Sequence, residues 1–251
     1  MNKKNIIVVG YPKSGTTWLS RLVAELVQCP LQGDWGFDHI QALYKEGDDR
    51  VSDFQCYKSH HTYQELPEVS KEAIYKVIYI VRDPRDIAIS GKHYFDFSSK
   101  KQTLLKKLKL SNVTPSFSNI SEEDKKKKMI HAVLHGDKNI NQWLRLSWKG
   151  HLNNYKNEEI LVVKYEELID HPQETCVRIL KYLALDKTRL HIKHSIESQS
   201  FKKKKGEIST SDNPILKKII RKGSYGYWKD EFSKKEKTLF LEYLIDTPYH
   251  A

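Results

Sequence analysis

Cysteine is scarce in this chain of 251 residues. Cys29, Cys56 and Cys176 are odd in number and lack metal-ligand spacing, which argues against a disulfide framework and against a zinc site. Long apolar runs are missing as well. The longest, Ile6–Val9 and Val77–Val81, fall far short of the roughly 20 residues a membrane span needs. Ile6–Val9 is also too short for a signal-peptide core and leads straight into Gly10-Tyr11-Pro12. No internal repeat is visible. With 39% hydrophobic and 30% charged residues, the composition excludes wholesale disorder. These absences predict a cytoplasmic protein without a membrane partner.

Acidic residues are outnumbered, 32 against 43 Lys+Arg, for a formal net charge of +11; 35 of the basic residues are lysines. Such a surface suits polyanions or small phosphorylated and sulfated ligands, but it also serves simply to solubilise. Charge by itself does not choose a partner.

The order of patterns predicts an α/β chain. Asn5–Val9, Ile74–Val81 and Glu159–Val163 read as buried parallel strands. Thr17–Val27 has helical spacing, with Trp18, Leu19, Leu22, Val23 and Leu26 on one face, and residues 139–150, 172–184 and 233–245 also fit helices. Strands alternating with helices imply a mostly parallel sheet that binds ligands beyond its carboxyl ends. Residues 98–138 and 202–218 are Lys- and Ser-rich and read as mobile insertions or lids within a single domain, 1–251.

Between the first strand and helix lies Gly10-Tyr-Pro-Lys13-Ser14-Gly15-Thr16-Thr17-Trp18. The glycines let the chain wrap so that amides point inward at an anion, and the helix adds its positive dipole end. Lys13 supplies a cation, and Ser14, Thr16 and Thr17 supply hydroxyl donors. The Gly-Lys-Ser/Thr ending of a nucleoside-triphosphatase loop is missing, and the second strand ends in Arg82 where an ATPase would typically have Asp. A metal-independent phosphate cradle is the expectation. The loop resembles the 5′-phosphosulfate loop of the cytosolic sulfotransferases, soluble small-molecule enzymes that use 3′-phosphoadenosine 5′-phosphosulfate (PAPS). The resemblance implies a P-loop-like three-layer fold, with a central mostly parallel sheet flanked by helices.

Three further segments resemble the same family in the same order. Tyr79-Ile-Val-Arg82-Asp-Pro-Arg-Asp-Ile-Ala-Ile-Ser90 is similar to its 3′-phosphate motif, which assigns Arg82 a bidentate pair and Ser90 a hydroxyl contact. Arg85 and Asp86 read instead as a surface or structural ion pair. Arg221-Lys222-Gly223, followed by Trp228, resembles the segment that closes over that phosphate, with Trp228 read as structural. Ser200-Phe201-Lys202 resembles the element whose Phe flanks adenine, opposite Trp18. Tyr165 matches the position that bonds the adenine edge.

Cys56-Tyr-Lys58-Ser59-His60-His61 matches the family's Lys-Thr-His segment, with Ser59 in place of Thr. The register makes His60 the general base, with His61 as its rival, and an imidazole suits the task because its ordinary pKa is about 6.5. Lys58 would contact the sulfuryl oxygens and Lys13 the departing phosphate, which Ser90 would regulate by holding Lys13 back. The implied reaction carries the sulfuryl group of PAPS to a hydroxyl, or an amine, of a small-molecule acceptor. It releases adenosine 3′,5′-bisphosphate without a metal and involves no nucleic acid. The alternatives are a P-loop-type small-molecule kinase and a non-enzymatic polyanion-binding protein. Trp35, Phe37, Tyr94 and Phe95 suit an aromatic acceptor pocket, while Asp34 and Asp38 suit a cationic acceptor.

Overall fold

The computed structural model describes residues 3–36, 45–70, 73–95, 97, 120–209 and 222–250. Strand β1 (Lys4–Gly10) is central, and it is buried from Asn5 onward. Its even residues Ile6 and Val8 face one layer, and its odd residues Ile7 and Val9 face the other. Helix α1 (Thr16–Val27) follows, then β2 (Leu31–Asp34), β3 (Phe54–Ser59), β4 (Ile74–Val81) and helix α2 (Pro84–Tyr94). Helix α3 (Glu122–His135), a short 3₁₀ turn at Gln142–Leu144 and helix α4 (Trp148–Asn153) lead to β5 (Leu161–Lys164). The chain continues as α5 (Tyr165–Asp170), α6 (Pro172–Tyr182), α7 (Arg189–Ser198), α8 (Phe201–Ser209), α9 (Trp228–Glu231) and α10 (Lys234–Tyr243).

The five strands form one sheet in the order β2-β3-β1-β4-β5, and every pairing between them is parallel. Chain order reverses on either side of β1, so the crevice beyond its carboxyl end is the place where such sheets bind ligands. Helices cover both faces. Ile6, Val8, Cys56, Ile78 and Ile80 pack with α1, α6 and α7, while Ile7, Val9, Tyr79 and Val81 pack with α2, α3 and α10. Helices bury both faces of β1 and of the second half of β4, which is why these two strands read as continuous apolar runs.

Three expectations are corrected. The stretch 139–150 is a 3₁₀ turn and the start of a short helix, because Asn141 and Ser147 each cap a new turn with their side chains. The third recognised strand lies at Leu161–Lys164, two residues later at its start than Glu159. The second part of the stretch 98–138, read as a surface insertion without helical periodicity, contains helix α3. Ser121 caps it, Glu122, Glu123 and Asp124 favour its N-terminus, and Met129, Ile130, Ala132 and Val133 are buried against α2. Its Lys125–Lys128 run hid that face. Residues 98–119 and 210–221 lie outside the described residues, as do Phe37 and Asp38.

Candidate active site

The loop after β1 takes its shape from backbone constraints. Gly15 is the N-cap of α1 with φ +100°, and a Cβ there would stand 2.8 Å from Tyr165. No side chain caps α1 and its first turn carries no acid, so its positive end is left for an anion. Lys13 itself adopts φ +73°, a strained conformation for a residue with a Cβ. Its ammonium lies 3.6 Å from the centre of the Tyr94 ring.

A cavity of about 310 Å³ opens at this point, beyond the carboxyl ends of β1, β3 and β4. Lys13, Gly15, Thr16, Thr17 and Trp18 form one part of its wall. Lys58 and His60 come from the end of β3, and Arg82 and Ser90 from β4 and α2. Tyr165, Phe201, Lys222 and Gly223 complete the assembled set. Ser14 is the exception: it is fully buried, outside the wall, with its hydroxyl lacking a partner among the described residues. Arg221 lies outside the described residues.

His60 is well defined. Its Nδ1 lies 2.7 Å from the Gly10 carbonyl, and a carbonyl can only accept, so Nδ1 carries the proton and Nε2 the lone pair. Burial, reinforced by the nearby Lys58 charge, lowers its pKa to about 3. His61, the rival, turns instead to the Ser59 hydroxyl at 2.9 Å and does not line the cavity. A cradle missed by sequence reasoning holds both. His151 Nε2–H donates to the His60 carbonyl at 3.2 Å, Tyr79 O–H donates to His151 Nδ1 at 2.9 Å, and Tyr155 O–H donates to the His61 carbonyl at 2.7 Å. Burial also lowers His151 to about 4, which leaves it neutral.

Asp34 faces Lys58 across the β2–β3 register, with its carboxylate 2.8 Å from the ammonium. It is the sole carboxylate among the described residues of the wall. The cationic-acceptor expectation therefore meets an acid already engaged by Lys58. Of the aromatic candidates, Tyr94 and Phe95 line the cavity, whereas Trp35 is buried with its indole N–H on the Leu66 carbonyl at 2.7 Å. Asn141, Gln142 and Trp143, which carry no motif, also line it.

Arg82 joins distant parts of the wall. Its guanidinium donates to the Lys13 carbonyl at 3.1 Å and to the Ser224 carbonyl at 3.0 Å, and it lies 4.2 Å from the Tyr165 ring centre. The expected Arg85–Asp86 pair is corrected as well. Arg85 pairs with Asp83 at 2.8 Å and stacks on Trp228, while Asp86 accepts from the amides of Gly226 (2.6 Å) and Trp228 (3.3 Å). Burial pushes the Asp86 carboxyl up; those amide bonds oppose the shift. Asp86 thus anchors the loop carrying Lys222 and Gly223. At Gly223 (φ +64°) a Cβ would stand 2.2 Å from the Phe201 ring, so these two cavity residues interlock.

Several features fit an anionic nucleotide. Arg82 Nε and Gln199 Oε1 are buried in the wall without a hydrogen-bond partner among the described residues, and basic residues surround the open N-terminus of α1. The sequence matches the sulfotransferase domain family over residues 3–244, and the chain belongs to that family. Among curated relatives, 3-alpha-hydroxysteroid sulfotransferase of Cavia porcellus is 28% identical over 94% of this chain and 81% of its own length. Cytosolic sulfotransferase 13 of Arabidopsis thaliana is 25% identical over 90% and 71%. Among solved structures, mouse sulfotransferase SULT7A1 complexed with PAP has a TM-score of 0.68 at 22% identity, covering 100% of this chain and 88% of that one. Retinol dehydratase in complex with androsterone and inactive cofactor PAP has a TM-score of 0.61 at 18% identity, covering 100% and 83%. At those identities the structural likeness establishes the fold. Family membership makes this chain a sulfotransferase and sets aside the kinase and polyanion-binding alternatives. Among the described residues, no helix is long and apolar enough to cross a membrane.

Proposed function

We propose that the chain transfers the sulfuryl group of PAPS to a hydroxyl, or less readily an amine, of a small cytoplasmic acceptor, with His60 as general base. The observation that carries this reading is the His60 ring. Its Nδ1–H is committed to Gly10, and its basic Nε2 belongs to a side chain that shares a wall with Lys13 and Lys58. PAPS, when bound, supplies a sulfuryl group on a good leaving phosphate.

The protein has three tasks: proton removal, charge compensation and alignment. His60 Nε2 takes the acceptor proton, and the Gly10 carbonyl stabilises the resulting imidazolium through Nδ1–H. An anionic donor beside His60 raises its low donor-free pKa toward the working range, because opposite charge favours the protonated form. Lys58 serves the sulfuryl oxygens and Lys13 the departing phosphate. Thr16, Thr17 and the first amides of α1 hold the 5′-phosphate; Arg82, Ser90, Lys222 and Gly223 hold the 3′-phosphate. Tyr165, Trp18 and Phe201 surround the base. These cations make a metal unnecessary in this scheme.

Calorimetric titration of adenosine 3′,5′-bisphosphate in EDTA, with ATP as comparator, tests the donor site. Metal-independent binding that prefers the 3′-phosphate is expected, with a loss of at least about 100-fold in Arg82→Ala, which removes a charge-assisted pair and two loop contacts. Binding only of ATP with Mg²⁺ would overturn the reading. An acceptor screen with His60→Ala as blank follows.

A further inference from the structure

Asp34 is the last residue of β2, the edge strand beside β3. Parallel register sets it opposite Lys58, and its carboxylate lies 2.8 Å from that ammonium, with the two side chains 18% and 7% exposed. The next residue locks the pair in place. Trp35 N–H donates to the Lys58 carbonyl at 2.8 Å, and its buried indole packs edge-on against Tyr57. Both members of the pair line the cavity, as does His60 two residues beyond Lys58. The carboxylate is out of place on electrostatic grounds. Among the described residues the same wall carries Lys13, Arg21, Lys58, Arg82, Lys204 and Lys222 and no second acid. An acid there repels an anionic ligand. A partly buried ion pair adds little stability over apolar residues of the same size, so stability alone does not account for it. What Asp34 supplies is a fixed position for a point charge that otherwise rides on a flexible four-carbon stem. The three N–H donors of an ammonium let it hold Asp34 and meet a ligand oxygen together.

We propose that Asp34 is a positioning residue for sulfuryl transfer, whose carboxylate fixes the Lys58 ammonium beside His60 while weakening donor affinity. The proposal rests on the donor reading above, in which Lys58 serves the sulfuryl oxygens. In that transfer an acceptor oxygen forms the new S–O bond and its proton goes to His60 Nε2. The bridging S–O bond breaks, and its electron pair leaves on the phosphate. A cation already held for the sulfuryl oxygens needs no reorganisation at that moment. An acid engaged in this way acts through Lys58 and not on a cationic acceptor.

The test separates binding from transfer. Calorimetry on the intact chain gives the affinity for adenosine 3′,5′-bisphosphate. Single-turnover cleavage of PAPS gives the rate, with enzyme in saturating excess and the fastest acceptor from the screen, water included. Asp34→Asn, equal in size and uncharged, is expected to slow cleavage at least about tenfold through misplacement of Lys58. It is expected to bind the nucleotide as tightly as wild type or up to about tenfold tighter, because a like charge leaves the wall. Asp34→Glu, which keeps the charge, is expected to recover most of the rate. Lys58→Met and the double variant Asp34→Asn/Lys58→Met should cleave at rates within about twofold of each other, because without the ammonium Asp34 has nothing to position. Three results would overturn the proposal and leave the donor reading standing: a wild-type rate in Asp34→Asn, nucleotide binding lost in step with that rate, or a further drop from Lys58→Met to the double variant. Failure of wild type to bind the nucleotide, or to cleave PAPS with any acceptor, would instead remove the transfer reading, and the role of Asp34 with it.

Discussion

The floor and the cover of the cavity are built by different means. The floor, with the loop after β1, Lys58, His60 and Arg82, grows from the ends of adjacent strands. Ladder hydrogen bonds and a core packed on both faces fix it. The cover, residues 199–201 and 222–228, has no strand. It is tied down by Trp18 on the Gln199 carbonyl, Arg82 on Ser224, and Asp86 on Gly226 and Trp228. The difference divides the proposed work: the floor fixes the groups proposed to react, and the cover depends for its position on the floor's own side chains. Arg82 belongs to both, so a cation proposed to hold the 3′-phosphate also sets the cover's place.

That contrast can be broken at either end. The largest effect is expected on the floor. His60→Ala should lower kcat by at least about 100-fold, the usual contribution of a positioned base, while changing affinity for adenosine 3′,5′-bisphosphate by less than about threefold. A comparable loss of nucleotide binding would show that His60 shapes the donor site rather than acting as base. Asp86→Ala tests the cover. It strands two amides and should weaken nucleotide binding about tenfold, with the fold retained in a thermal melt. Unchanged affinity would mean the loop holds its position without Asp86.

The smallest effect concerns stability. His60 and His151 have folded pKa values of about 3 and about 4, below the ordinary value near 6.5. The unfolded chain therefore binds more protons between those values, and stability falls as pH drops through 6.5 toward 4. Up to two protons should be taken up on unfolding near pH 5. His151→Asn should remove about one, as read from denaturant melts across that range.

Much of the site was legible because its parts are contiguous. Gly10 to Trp18, Lys58 to His60 and Arg82 to Ser90 are short segments in which residue type, strand end and helix start coincide. A glycine at a left-handed N-cap, a lysine in the loop and a histidine beyond a strand are properties of neighbouring residues. Helix α3 was not legible: its charged run gave no clear helical face until α2 supplied an apolar surface to pack against. Strand β2 was too short to stand out among its flanking polar residues.

The sequence by itself determined the glycine-bracketed loop after β1, the histidine pair at the end of β3 and the alternation of strands and helices, because local spacing and backbone constraint carry that information. Only the tertiary structure decided what surrounds them. Asp34 finds Lys58 through parallel strand pairing, His151 reaches the His60 carbonyl from 91 residues away, and Asp86 holds Gly226 from 140. The chemistry of those side chains is ordinary and their spacing carries no signal. Burial and the register of a sheet brought them to atoms they could satisfy.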